Sequence, residues 1–126
     1  GAITQFFFEA HEFLRFRDLC AKAGIDKPII PGILPFRRAA SLERLAQISG
    51  MEIPAWLISG LRNAAIAGCE DLFAVSTAAD TIKGLQREGV TQVHLYTMND
   101  HAVIRELCDM FVAPGLTERQ KKTSAA

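Results

Sequence analysis

A glutamine inside an apolar run is the first residue of this sequence with chemistry to offer. Gln5 stands within Ile3-Thr4-Gln5-Phe6-Phe7-Phe8, and an amide placed there must find a partner or cost about 1–3 kcal/mol. An amide both donates and accepts, which suits a heterocycle presenting both functions; a core amide bonded to its neighbours or to water accounts for it equally well. Tyr96-Thr97-Met98-Asn99 ends a second run. Tyr96 offers a ring to stack or a hydroxyl to bond, and Asn99 reads first as a helix N-cap. Arg37-Arg38 falls in a loop suited to a phosphate, but no glycine-rich cradle accompanies it, so a solvated basic pair is the plainer reading. Pro31-Gly32 interrupts its own run, either as a strand bulge or to let a flat ligand approach the backbone.

Other chemistries find little support. His11, His94 and His101 lack zinc spacing, and His94 reads as a structural residue. Cys20, Cys69 and Cys108 show no Cys-x-x-Cys pair and no adjacent base, which argues against a metal site, a disulfide framework or a nucleophilic thiol and fits a reducing cytoplasm. Glu9 is the acid nearest a strand end, and helix-start solvation explains it. Lys plus Arg number 14 and Asp plus Glu 14, so the chain lacks the basic excess that nucleic acid or an anionic membrane demands. Hydrophobic residues at 49% exclude a disordered chain of this length, 126 residues. No apolar stretch reaches the roughly 18 residues of a membrane span. The chain opens on Gly1 and enters an apolar run with no basic region before it, which reads as part of something longer rather than as a secretory signal.

The elements that must position these residues follow from periodicity. Runs at Ile3, Ile29 and Val93 are apolar on both faces, as buried parallel strands are; a shorter run covers residues 51–54. Between them, residues 9–23 carry Phe13, Phe16, Cys20 and Ala23 at helical spacing with Gly24 beyond. Ser41 is the expected N-cap of a helix burying Leu42, Leu45 and Ile48. Pro54 suits the first turn of a helix running to about Ala67. Another, opening on Glu70-Asp71, turns Leu72, Val75, Ala79 and Ile82 inward. A last helix carries Val103, Leu107 and Phe111. Residues 117–126 have no apolar spacing and read as a loose tail. Strand and helix alternating in this way predict a parallel α/β fold, whose ligands bind beyond the carboxyl ends of the strands. Three strands cannot close a barrel and make a meagre open sheet.

Taken in order, Ile3-Thr4-Gln5-Phe6-Phe7-Phe8, Gly24-Ile25-Asp26, Pro28-Ile29-Ile30-Pro31-Gly32-Ile33-Leu34-Pro35, Ile53-Pro54-Ala55-Trp56, Gly89-Val90 and His94-Leu95-Tyr96-Thr97-Met98-Asn99 resemble the C-terminal part of methylenetetrahydrofolate reductases. The resemblance covers residues 2–116, which it makes one segment of a (β/α)8 TIM barrel, incomplete in this chain. The strand runs then look like strands six, seven and eight, with the first five outside this sequence. It implies a cytoplasmic, homo-oligomeric flavoprotein in which NADH or NADPH reduces FAD, and FAD passes hydride to 5,10-methylenetetrahydrofolate. The general acid and most FAD contacts would lie on the other strands, leaving no catalytic residue in this segment.

On the same resemblance, Gln5 matches the glutamine that bonds the pterin, and Tyr96, Thr97 and Asn99 match the strand-eight motif at the substrate end. There are departures. Asp100 stands where many bacterial members carry an arginine suited to the folate glutamate tail, Ser41 replaces a ligand-contacting glutamine, and Leu45 replaces a stacking aromatic. Residues 57–77 are unusually rich in alanine and match poorly. These differences bear on tail binding and ligand gating and leave the pterin glutamine in place. Two rivals remain, a non-catalytic barrel remnant acting as an assembly module and a different barrel enzyme using a phosphate at Arg37-Arg38.

Overall fold

The computed structural model describes residues 1–98 and 100–111. Along them run β1 (Ala2–Phe6), α1 (Ala10–Lys22), β2 (Ile29–Ile33), α2 (Ala39–Ser49), α3 (Ala55–Ala67), α4 (Glu70–Arg87), β3 (His94–Leu95) and α5 (His101–Phe111). The strands form one parallel sheet in the order β1-β2-β3. The architecture is therefore the expected α/β one, a helix-flanked sheet that does not close on itself. The expected tail at residues 117–126 lies outside the described residues. Among the described residues no helix is long and apolar enough to cross a membrane.

Two apolar clusters hold the sheet. One fills the space between the strands and helices α1, α4 and α5: Ile33 and Leu95 meet Phe13, Val75, Ala79, Ile82, Val103 and Leu107, all buried. Alanines at Ala74, Ala78 and Ala79 let α4 lie close, since a small side chain keeps the helix axis near its neighbour. The second cluster sits at the carboxyl ends of the strands, where Phe6 and Phe8 meet Leu42 of α2 and Leu57 and Leu61 of α3. Its aromatic rings pack edge-on: Phe6 lies 5.8 Å from both Phe8 and Phe36, the offset geometry that ring quadrupoles favour.

Four helix details differ from expectation. Helix α2 begins at Ala39 with Arg38 at its N-cap, so Ser41 lies inside the first turn; the Arg38 carbonyl already accepts the Leu42 N–H at 3.2 Å. Its buried stripe is Leu42 and Ala46, which leaves Ile48 78% exposed. In α4, Leu72 is exposed and the neighbouring Phe73 makes the contact with α3, its ring lying where a side chain at Gly60 would collide. Phe16 of α1 is exposed as well, because among the described residues no strand lies beyond β1 to cover it.

β2 carries Pro31 in the centre of the sheet, where a residue without an N–H cannot complete the ladder. β1 answers with a bulge. Ala2 and Ile3 pair with Ile29 and Ile30, and the next pair is Phe6 with Gly32, so Thr4 and Gln5 together oppose Pro31. The Gly32 N–H donates to Thr4 Oγ1 at 3.0 Å. The irregularity thus lies in β1, opposite the proline, and Gly32 serves a different purpose: a Cβ there would stand 2.5 Å from the Tyr96 ring and 2.6 Å from the Thr4 carbonyl oxygen. Gly32→Ala is expected to cost about 1–3 kcal/mol, as overpacking against a fixed backbone does, read as a lower urea midpoint. A midpoint equal to that of the parent would show that the two strands can part.

Candidate functional site

The carboxyl ends of β1, β2 and β3 carry the predicted residues, and the backbone just described sets where each one goes. Tyr96 follows β3 directly, and its N–H donates to the Ile33 carbonyl at 2.8 Å. Its half-buried ring crosses Gly32, meets His94 edge-on at 4.7 Å and ends with the hydroxyl donating to the Thr4 carbonyl at 2.9 Å. One side chain therefore ties β3 to β1 across β2. His94 is the structural residue expected. Thr97 is half-buried, and its carbonyl accepts the Asp100 N–H at 2.7 Å, a turn that starts α5. Asn99 lies outside the described residues.

Gln5 occupies the bulge and is exposed. Its Oε1 accepts the N–H of Phe6 at 3.3 Å. Gln5 lines a groove of about 650 Å³ along the free edge of β1, with Phe13, Phe16 and Cys20 of α1. Tyr96 thus reaches Thr4, the residue beside Gln5, and Gln5 itself shares no polar contact with Tyr96. Among the described residues no strand lies on that side of β1, and the exposed Gln5 is not a core amide in this chain.

The sequence marks Arg37 only as half of a solvated or phosphate-facing basic pair, and the ion pairs that let it organise this end of the sheet were missed. Arg37 is no merely solvated cation. Its Nη1 donates to Asp71 Oδ1 at 2.8 Å and its Nε meets Asp100 Oδ2 at 2.7 Å. Asp71 opens α4 and Asp100 precedes α5, so one guanidinium joins the loop after β2 to the starts of two helices. The hydrogen bond to Asp71 leads in holding the guanidinium above its ordinary value; partial burial opposes, and the nearby charges of Asp100 and Asp71 add to it. Asp100, which the resemblance marks as a departure, therefore faces a cation of its own. A long-range pairing of this kind is invisible when each position is read alone.

Beside Arg37 lies a cavity of about 390 Å³ lined by Leu34, Phe36, Arg38, Ser41, Arg44, Leu45, Ile48, Met98 and Asp100. Ser41, Leu45 and Asp100, which the sequence marked separately as departures, line this single hollow. Glu9 also has a structural engagement: Trp56 Nε1 donates to its Oε1 at 2.7 Å, and His11 Nδ1 lies 3.4 Å from Oε2. No group of three or more metal-ligating side chains occurs among the described residues. Cys20 and Cys108 are buried and not joined by a disulfide.

An open parallel sheet with helices outside it and polar side chains beyond its carboxyl ends is the architecture of a partial α/β barrel. Comparison with known proteins makes the assignment particular. The family described as methylenetetrahydrofolate reductase matches residues 1–111. The 5,10-methylenetetrahydrofolate reductases of Salmonella typhimurium and Escherichia coli are each 42% identical over 119 residues, covering 91% of this chain and 40% of theirs. A probable methylenetetrahydrofolate reductase (NADPH) of Caenorhabditis elegans is 37% identical over 109 residues, covering 83% of this chain and 16% of its own. The chain belongs to the methylenetetrahydrofolate reductase family of oxidoreductases, and it spans about two fifths of the length of the bacterial relatives.

The Arg37 bridge can be measured directly. A double-mutant cycle of Arg37→Ala and Asp100→Ala should give a coupling of about 0.2–1 kcal/mol in urea unfolding, shrinking as salt is raised. Zero coupling at low salt would mean that the bridge does not form in solution.

Proposed function

We propose that this chain is the C-terminal part of a (β/α)8 barrel that reduces 5,10-methylenetetrahydrofolate to 5-methyltetrahydrofolate, using NADH or NADPH and FAD. The observation that carries the reading is a coincidence: the family match over residues 1–111 falls on a parallel sheet whose outer strands, among the described residues, each have a neighbour on one side only. β1, β2 and β3 are then strands six, seven and eight, and the strands that flank them come from polypeptide outside this sequence. The complete enzyme is a cytoplasmic homo-oligomer.

Within that barrel the work of this chain is binding and orientation. Gln5 pairs with the pterin, since its amide supplies a donor and an acceptor to a ring that needs both. The bulge opposite Pro31 makes this possible: two residues against one re-aim a side chain that strict alternation would fix, and a strand packed beside β1 closes the groove that Gln5 lines. Tyr96, Thr97 and Asn99 stand at the same end. Tyr96 acts chiefly by joining β1 to β3 through the Thr4 carbonyl, which holds the bulge in place. The residues present do not by themselves fit a flavin, for no described strand end carries a backbone cradle for its pyrophosphate. The flavin and the general acid are assigned to the other strands.

Two measurements test this. The purified chain should neither bind FAD nor oxidise NADH, and co-expression with the remaining strands of a bacterial relative should restore a flavin spectrum. In that reconstituted enzyme Gln5→Ala should cost about 1–3 kcal/mol in folate recognition, roughly fivefold to 150-fold in KM. Failure to reconstitute would favour the assembly-module reading, and an unchanged folate KM would remove Gln5 from the site.

A further inference from the structure

Ile33 and Leu95 are paired in register, and both are buried against α1, α4 and α5. The pair before them, Gly32 and His94, therefore faces the other way, because side chains alternate along a strand. That second face is bare at Gly32, and Tyr96 covers it. Its ring crosses the glycine, where a Cβ would stand 2.5 Å from the ring, and its hydroxyl donates to the Thr4 carbonyl at 2.9 Å.

The hydroxyl bond fixes the tip of the Tyr96 side chain and leaves the plane of the ring free to turn. Gly32 offers a slot and has no side chain to grip it. His94 supplies the wall. Its imidazole meets the Tyr96 ring with centroids 4.7 Å apart and planes at 74°, the edge-to-face arrangement that ring quadrupoles favour. Among the described residues His94 makes no hydrogen bond or ion pair, so what the imidazole contributes is its flat ring and not its protons.

We propose that His94 is a positioning residue for the folate site. It holds the Tyr96 ring over Gly32, the ring keeps its hydroxyl on the Thr4 carbonyl, and that bond keeps β1 bulged opposite Pro31, where Gln5 sits. The influence runs from β3 to Gln5 without His94 touching the substrate. The inference rests on the folate reading above and adds to it a residue that acts only through Tyr96.

The test has one arm in the chain itself and one in the enzyme reconstituted with the remaining strands. Tyr96 is the single tyrosine of the sequence, so a tyrosine-labelled chain gives one set of ring signals, which should show NMR contacts to the Gly32 α-protons and the His94 ring. His94→Ala should weaken the Gly32 contact and move the amide signals of Thr4, Gln5 and Phe6 while those of α4 stay in place. His94→Leu, which fills the space without an aromatic edge, should behave in the same way, and His94→Phe should restore the parent spectrum. In the reconstituted enzyme His94→Ala should raise the folate KM about twofold to tenfold, the scale of one aromatic pair, and leave kcat within about twofold. In a Tyr96→Phe background the same change should have almost no further effect, because the hydroxyl through which His94 acts is already gone.

An unchanged Tyr96–Gly32 contact in both His94→Ala and His94→Leu would overturn the proposal. So would KM effects that add in the double variant, or a fall in kcat at constant KM. Failed reconstitution, or a folate KM indifferent to Gln5→Ala, would count against the folate reading alone; the Tyr96 and Gln5 signals of the isolated chain would still decide whether His94 sets the bulge.

Discussion

A parallel strand has two edges, and among the described residues β1 and β3 each use one, while β2 has a neighbour on both sides. Unpaired strand edges carry rows of donors and acceptors that proteins normally cover or block, yet β1 borders an apolar groove of about 650 Å³ with Phe16 exposed beside it. Much of what is unusual in the molecule follows. Gln5 lines that groove, and apolar residues such as Phe16 that a further strand would bury face outward. The helices are well satisfied by comparison, with buried stripes that close on β2 and β3.

Inside the sheet, the decisive residue is Pro31. It removes one ladder donor from the central strand, so β1 bulges, Thr4 Oγ1 receives the Gly32 N–H, and the Thr4 carbonyl becomes the acceptor for the Tyr96 hydroxyl. Gly32 makes room for the Tyr96 ring. Four residues on three strands thus form one unit, and each is replaceable only at the expense of the others. Arg37 has a similar part outside the sheet, joining the loop after β2 to α4 and α5 through two carboxylates.

Local signals made the fold legible. Apolar runs located all three strands, and the glycines at Gly24, Gly50, Gly68 and Gly89, all with positive φ, marked where helices stop. What periodicity could not supply was which face of a helix finds a partner: Leu72 and Ile48 have the right spacing and are exposed, because Phe73 and Ala46 take the contacts. The site was less legible. Tyr96 was recognisable from its place at a strand end, but its hydroxyl partner depends on a bulge 92 residues away in sequence. Pro31 in a central strand was the available sign of that bulge. The Arg37–Asp100 pair had no local sign, since neither residue has a fixed spacing to the other.

The claim on which the account depends is that this sheet is built to be continued. Amide hydrogen exchange tests it at the β1 edge. In the chain alone the β1 amides that face away from β2 should exchange far faster than those of β2, and they should become protected when the remaining strands are supplied. Outer β1 amides already as protected as those of β2 in the isolated chain, or left unprotected in the reconstituted complex, would contradict it.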